Sequence, residues 1–185
     1  MATQEILFAG FGGQGILSMA KFLAYGGMDS GKNVSWLPSY GPEMRGGTCN
    51  CSVIITDDQV GSPIVITPDT LIVMNKPSLD KFEMSVKKGG TIIIDEDMVN
   101  REVVRTDIEA IKIPAQRVAQ EIGSKTIANM VLLGALVKKT GIISIEEILK
   151  ALREHGKEKY YEMNKVALER GAALIDTQVE ILLTK

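Results

Sequence analysis

A chain of 185 residues in which 45% are apolar has material for one domain with a buried core, and is too apolar to stay disordered. Twenty-one basic residues against 23 acidic ones leave a formal charge of −2, and no basic run departs from that balance, since Lys87-Lys88 and Lys138-Lys139 are isolated pairs suited to solvated faces. This excludes a nucleic-acid binder built on phosphate neutralisation. The chain runs at once into Glu5-Ile6-Leu7-Phe8-Ala9, so no signal peptide is read. No apolar run approaches the roughly 18 residues of a membrane span. Two cysteines, in Cys49-Asn50-Cys51, fit a cytoplasmic protein with free thiols.

Residues 5–9 form a short apolar run, ended by Gly10, and a helical pattern starts by Gln14 with Ile16, Leu17, Ala20 and Leu23-Ala24 on one face. Gly26-Gly27 weakens that helix and Gly31 ends it. Residues 33–37 read as a second strand stopped by Pro38, which makes the opening a βαβ unit. Residues 38–47 are rich in glycine and proline and form neither helix nor central strand. Residues 49–56 are a β run. Residues 71–74 and 91–94 are continuous apolar runs, as in strands buried on both faces of a parallel sheet, with a helix over 77–88 between them closed by Gly89-Gly90.

The last third is helical, over 114–122, 127–139, a helix capped by Ser144 with Glu147, and 159–174. No repeat or linker divides the chain. The expected fold is one three-layer α/β domain spanning residues 1–185, with a mostly parallel sheet, helices on both faces and a helical C-terminal portion.

Gly10-Phe11-Gly12-Gly13-Gln14-Gly15 satisfies G-x-G-x-x-G between a strand and a helix. Glycines there let the backbone turn sharply and approach a phosphate, and the first helical N–H groups point at the anion. The same turn also serves tight strand–helix packing, and both uses stay open. A dinucleotide site would need an acid at the end of the second strand. Here stand Trp36-Leu37-Pro38-Ser39, and Asp29 precedes the strand. A P-loop is absent, since no Gly-Lys-Ser or Gly-Lys-Thr follows Gly15.

The second glycine-rich segment, Ser39-Tyr40-Gly41-Pro42-Glu43-Met44-Arg45-Gly46-Gly47, falls where open α/β sheets bind ligands. Arg45 offers a planar fork of donors for phosphate or carboxylate, and Glu43 can orient it or pair with a neighbouring subunit. As an ordinary surface loop, the Glu/Arg pair would contribute little.

Residues 8–16 with residues 39–47 resemble the two hallmark segments of the gamma subunit, or gamma domain, of the 2-oxoacid:ferredoxin oxidoreductases. Residues 49–56 stand at that family's post-loop strand. Residues 90–95 resemble its Gly-Gly-x-Ile-Ile-x-Asp strand, and residues 129–136 its Asn-x-x-x-Leu-Gly-Ala-Leu helix. The resemblance implies a noncatalytic or co-catalytic subunit of an enzyme that converts a 2-oxoacid and coenzyme A to acyl-CoA and CO2 and reduces ferredoxin. It implies no catalytic residue in this chain.

Gly10, Gly12, Gly13, Gln14 and Gly15 would lie at the coenzyme A phosphates. Tyr40, Gly41, Pro42, Glu43, Arg45, Gly46 and Gly47 would line the active-site approach or a subunit contact. Coenzyme A is then a shared substrate, and this chain alone binds no cofactor. Thiamine diphosphate, Mg and iron–sulfur clusters are expected on alpha and beta subunits and a ferredoxin-like subunit. Two cysteines are too few for a cluster, and no Gly-Asp-Gly…Asn-Asn pattern of a thiamine diphosphate site occurs. A 2-oxoglutarate or branched-chain substrate is preferred.

Other residues offer less. Cys49 and Cys51 alternate toward one face as small buried thiols, His155 suits a helix C-terminus, and no metal site is read. Asp95, Glu96 and Asp97 read as a solvated turn, with metal or ribose binding as the lesser option. A freestanding nucleotide- or dinucleotide-binding α/β protein, or a regulatory nucleotide-binding module, is the competing reading.

Overall fold

A computed structural model describes residues 2–39 and 48–183. Its centre is a six-stranded sheet in the order β2-β3-β1-β4-β5-β6. The strands are β1 (Thr3–Phe11), β2 (Asn33–Ser39), β3 (Thr48–Thr56), β4 (Thr70–Val73), β5 (Thr91–Asp95) and β6 (Glu109–Ile113). The pairs β1–β4, β4–β5 and β5–β6 are parallel, whereas β3 is antiparallel to both β1 and β2. Five strands therefore share one direction and β3 alone opposes them.

The opening strand–helix–strand unit forms, but its strands are not neighbours, because β3 is inserted between β1 and β2. That leaves β2 as an edge strand. The strand runs on through Pro38, which pairs with Cys51, rather than stopping before it. At an edge the missing proline donor faces no partner strand, so it does not end the ladder.

The strands β1, β4 and β5 divide their side chains between two cores. Ile6 and Phe8 of β1, Cys49, Cys51, Val53 and Ile55 of β3, and Ile111 and Ile113 of β6 join the larger one. Leu7, Ala9, Leu71, Val73, Ile92 and Ile94 join the smaller. The larger core is covered by α1 (Ile16–Asp29), α3 (Ala115–Ile122), α4 (Ala128–Thr140), α5 (Ile145–His155) and α6 (Tyr161–Leu183).

The smaller core is covered by α2 (Lys76–Phe82), shorter than the expected helix over 77–88, and by the irregular chain of residues 96–108. The buried Glu83 pins that chain in place. One of its oxygens accepts from the Val104 and Arg105 N–H groups at 2.6 and 3.1 Å, and the other pairs with Arg101 at 2.7 Å. A buried carboxylate needs such partners to offset its desolvation.

In α4 every residue from Ala128 to Val137 is buried, since the helix lies between β5 and α6. Close approach to α6 explains two glycines. A Cβ on Gly134 would strike the Leu168 carbonyl, and one on Gly171 the Val131 carbonyl. The Ser144–Glu147 capping box forms, with Ser144 N–H donating to Glu147 Oε2 at 2.6 Å and Glu147 N–H to Ser144 Oγ at 3.2 Å.

Candidate functional site

The crossover from β1 runs through α1 over the larger core, and that from β4 runs through α2 over the smaller one. The topological switch point therefore lies between the C-terminal ends of β1 and β4, where an open α/β sheet leaves a crevice. The glycine turn sits at this point.

Phe11 O accepts the Gln14 N–H at 3.2 Å to close the turn. Gly13, at φ +95°, has open space where a Cβ would be, whereas Gly15, at φ +79°, is the N-cap of α1. A Cβ on Gly15 would lie 2.5 Å from Asn129 Nδ2, which donates to Gly15 O at 3.2 Å. This contact gives Asn129, at the start of α4, its role. The first turn of α1 has no capping side chain and no acidic residue, so its dipole is left for an anion.

Gln14 spans the switch point. Its Oε1 accepts from the Phe11 N–H at 2.6 Å and from Asn75 Nδ2 at 3.2 Å, while its Nε2 donates to Met74 O at 2.9 Å. Asn75 in turn caps α2, accepting the Ser78 N–H at 2.8 Å. The Gln14 amide is thus a strut between the loops after β1 and β4, with at most one N–H left for a ligand.

Above this strut opens a cavity of about 230 Å³, lined by Gly13, Gln14, Met74, Met98, Gln116 and Lys125 among others. The ends of β1, β4, β5 and β6 all contribute to it. Lys125 is exposed and takes part in none of the salt bridges found among the described residues. Lys125, Gln116 and the two methionines escape sequence reasoning. One signal was available for Lys125, since a cation just before a helix N-terminus opposes the dipole and gains from an anion there.

Asp95 is not in a solvated turn. It is fully buried at the end of β5, and burial pushes its carboxyl up to about 6. Its Oδ2 accepts from Gln116 Nε2 at 3.1 Å and its Oδ1 from the Asp97 N–H at 3.3 Å. Asp97 accepts the Arg117 N–H at 2.9 Å and pairs with its guanidinium, which also meets Glu96. The acidic run thus caps and orients the start of α3.

Tyr40, Gly41, Pro42, Glu43, Met44, Arg45, Gly46 and Gly47 lie outside the described residues. Their flanks are informative all the same. Ser39 pairs with Asn50, and Thr48 with Phe11, so both ends of the segment reach the sheet edge that carries the glycine turn.

The dinucleotide reading loses a second support. The end of β2 is two strands, roughly 9–10 Å, from β1, and Asp29 lies at the far end of α1. His155 closes α5 as expected and stacks on Tyr25 at a ring distance of 3.9 Å. Cys49 and Cys51 face the larger core, and burial pushes the Cys51 thiol up to about 12. Inert buried thiols of this kind do not fit thiolate ligation of an iron–sulfur cluster. No described helix is long and apolar enough to cross a membrane.

Residues 5–174 match the family of pyruvate ferredoxin/flavodoxin oxidoreductases. The ketoisovalerate oxidoreductase subunit VorA of Methanothermobacter marburgensis is 42% identical over 91% of this chain, which spans only 36% of that relative. The 2-oxoglutarate synthase subunit KorC of Methanocaldococcus jannaschii is 36% identical over 91% of each chain. Among solved structures, the keto/oxoacid ferredoxin oxidoreductase gamma subunit of Geobacter sulfurreducens superposes with a TM-score of 0.83 at 31% identity, over 94% of this chain and 99% of that one. The 2-oxoglutarate:ferredoxin oxidoreductase of Magnetococcus marinus, solved with 2-oxoglutarate, coenzyme A and succinyl-CoA bound, gives 0.86 at 25% identity, over 96% of this chain and 32% of that one. The chain therefore belongs to the pyruvate ferredoxin/flavodoxin oxidoreductase family, as a gamma-type domain of the 2-oxoacid:ferredoxin oxidoreductases.

Proposed function

We propose that this chain is the gamma component of a cytoplasmic, hetero-oligomeric 2-oxoacid:ferredoxin oxidoreductase, and that its glycine turn and cavity hold part of coenzyme A. The complex would convert a 2-oxoacid and coenzyme A to acyl-CoA and CO2 and pass electrons to ferredoxin. One observation carries the reading: the glycine turn that leads into the uncapped α1, with the open side of Gly13, meets the cation Lys125 around one cavity at the switch point of a domain from this family. Such a constellation favours a phosphate at one end of a ligand and an apolar segment against Met74 and Met98. At about 230 Å³ the cavity takes one segment of coenzyme A, and neighbouring subunits enclose the rest.

The residues of this chain would bind and orient the thiol substrate. Thiamine diphosphate, Mg and iron–sulfur clusters, which supply the carbanion and electron chemistry, would reside on alpha, beta and ferredoxin-like partners. Tyr40, Glu43 and Arg45, whose segment leaves and re-enters the sheet beside the glycine turn, would line the active-site approach or a subunit contact. The relatives named for 2-oxoglutarate and ketoisovalerate favour one of these as the oxoacid.

Anaerobic affinity purification of the chain from its own cells, followed by assay with each oxoacid, tests this. Recovery of thiamine diphosphate and iron–sulfur subunits with coenzyme A-dependent reduction of ferredoxin is expected. A chain recovered alone, binding a free nucleotide, would contradict it.

A further inference from the structure

The glycine turn and Lys125 explain how the cavity attracts an anion, but not why a buried acid stands behind its wall. Asp95 is wholly buried, yet its Oδ2 reaches Gln116, whose side chain lines the cavity. An ionised carboxylate only accepts hydrogen bonds, so it fixes which end of the Gln116 amide turns toward it. One N–H of Nε2 goes to Asp95, which leaves the carbonyl oxygen Oε1 and the second N–H of the same amide for the cavity. Most of the other polar groups there are donors: the backbone N–H groups of the turn, the Lys125 ammonium and the N–H that Gln14 keeps beyond its bond to Met74, whereas the Thr126 hydroxyl can donate or accept. Gln116 thus adds an acceptor whose orientation Asp95 fixes to a cavity rich in donors.

We propose that Gln116, with its amide oriented by Asp95, is a specificity residue of this cavity and selects a ligand that carries an N–H donor beside its anionic end. This rests on the reading of the cavity as a coenzyme A site. Two parts of coenzyme A have the required chemistry: the secondary amides of the pantetheine arm and the amino group of adenine. A ligand that presented only acceptors there would leave Oε1 unpaired in a confined site, which binding penalises.

Two substitutions probe the same bond from opposite ends. Gln116→Met keeps length and removes the acceptor. Asp95→Asn keeps shape but adds an NH2, and since Oδ1 remains committed to the Asp97 N–H, the new NH2 faces Gln116 and turns its amide around. The cavity then meets the ligand donor with a donor.

The test is coenzyme A binding and steady-state kinetics in the intact complex. Each variant is expected to raise the Kd and KM for coenzyme A about tenfold with kcat and the oxoacid KM unchanged, which is the loss of one hydrogen bond. The double variant is expected to bind no worse than Gln116→Met, because Asp95 acts only through Gln116. A merely structural role would instead lower the unfolding midpoint and give additive losses.

Competition by 4′-phosphopantetheine and by adenosine 3′,5′-bisphosphate separates the two donors, since only the fragment that meets Gln116 loses affinity in the variants. If neither fragment loses affinity, or if both variants bind coenzyme A within twofold of wild type while Lys125→Glu does not, the role of Gln116 is overturned and the cavity reading stands. If Lys125→Glu, Gln116→Met and Asp95→Asn all bind as wild type does, the cavity reading itself falls.

Discussion

Gly15→Ala joins backbone conformation, packing and the start of α1 in one perturbation. At φ +79° an L-residue carries left-handed strain of about 1–2 kcal/mol. The new Cβ would also lie 2.5 Å from Asn129 Nδ2, so Asn129 must withdraw and its bond to Gly15 O is lost, at about 1 kcal/mol. The single variant should therefore lose about 2–3 kcal/mol in urea denaturation. Asn129→Ala alone should lose about 1 kcal/mol, from the same bond. In the double variant the offending amide is gone and the shared bond is lost only once, so the loss should fall about 1 kcal/mol short of the sum. A sum additive to within about 0.3 kcal/mol would show that Asn129 does not clasp the glycine turn, and would refute the reasoning.

Three further outcomes follow from burial. Asp95 has its carboxyl raised to about 6 by burial from an ordinary 3.8, so its contribution to stability is complete below the lower value and is lost as pH rises through the upper one. Asp95→Asn should then be the more stable protein at pH 8, by at most about 3 kcal/mol, and should lose that advantage near pH 4; denaturation midpoints across this range check it. Gly134→Val would drive a side chain into the Leu168 carbonyl and part α4 from α6, a loss above about 4 kcal/mol visible as a non-native circular dichroism spectrum. Cys49 and Cys51, buried with thiol pKa values raised by desolvation, should resist alkylation at pH 8 in the native chain and react once denaturant is added, as mass spectrometry would record.

Elements with a strong local signature were legible in the sequence. The continuous apolar strands β4 and β5, the capped helix α5 and the glycine turn between β1 and α1 all lie close to their expected places. Two features were not legible because their causes are nonlocal. The strand β6 alternates over only five residues, Glu109–Ile113, and becomes a strand by pairing with β5. Pro38 continues β2 because β3, not β2, is the neighbour of β1.

The site shows the same division. Gly13 and Gly15 announce a tight turn in the sequence, but the struts that hold it, Gln14 to Met74 and Gly15 to Asn129, join residues 60 and 114 positions apart. The cavity gathers the ends of four strands, and no short motif encodes that convergence. Asp95, Glu96 and Asp97 look like a solvated turn by composition, and only the register of β5 against β6 buries the first beneath Gln116.

The central claim is that the cavity at the glycine turn holds coenzyme A through an anion near Lys125. Charge reversal at Lys125 tests it most directly, because that side chain is exposed and its loss should leave the fold intact. In the purified complex, Lys125→Glu should raise the coenzyme A KM at least tenfold and leave the oxoacid KM within twofold of wild type. An unchanged coenzyme A KM, or a change confined to the oxoacid, would contradict the account.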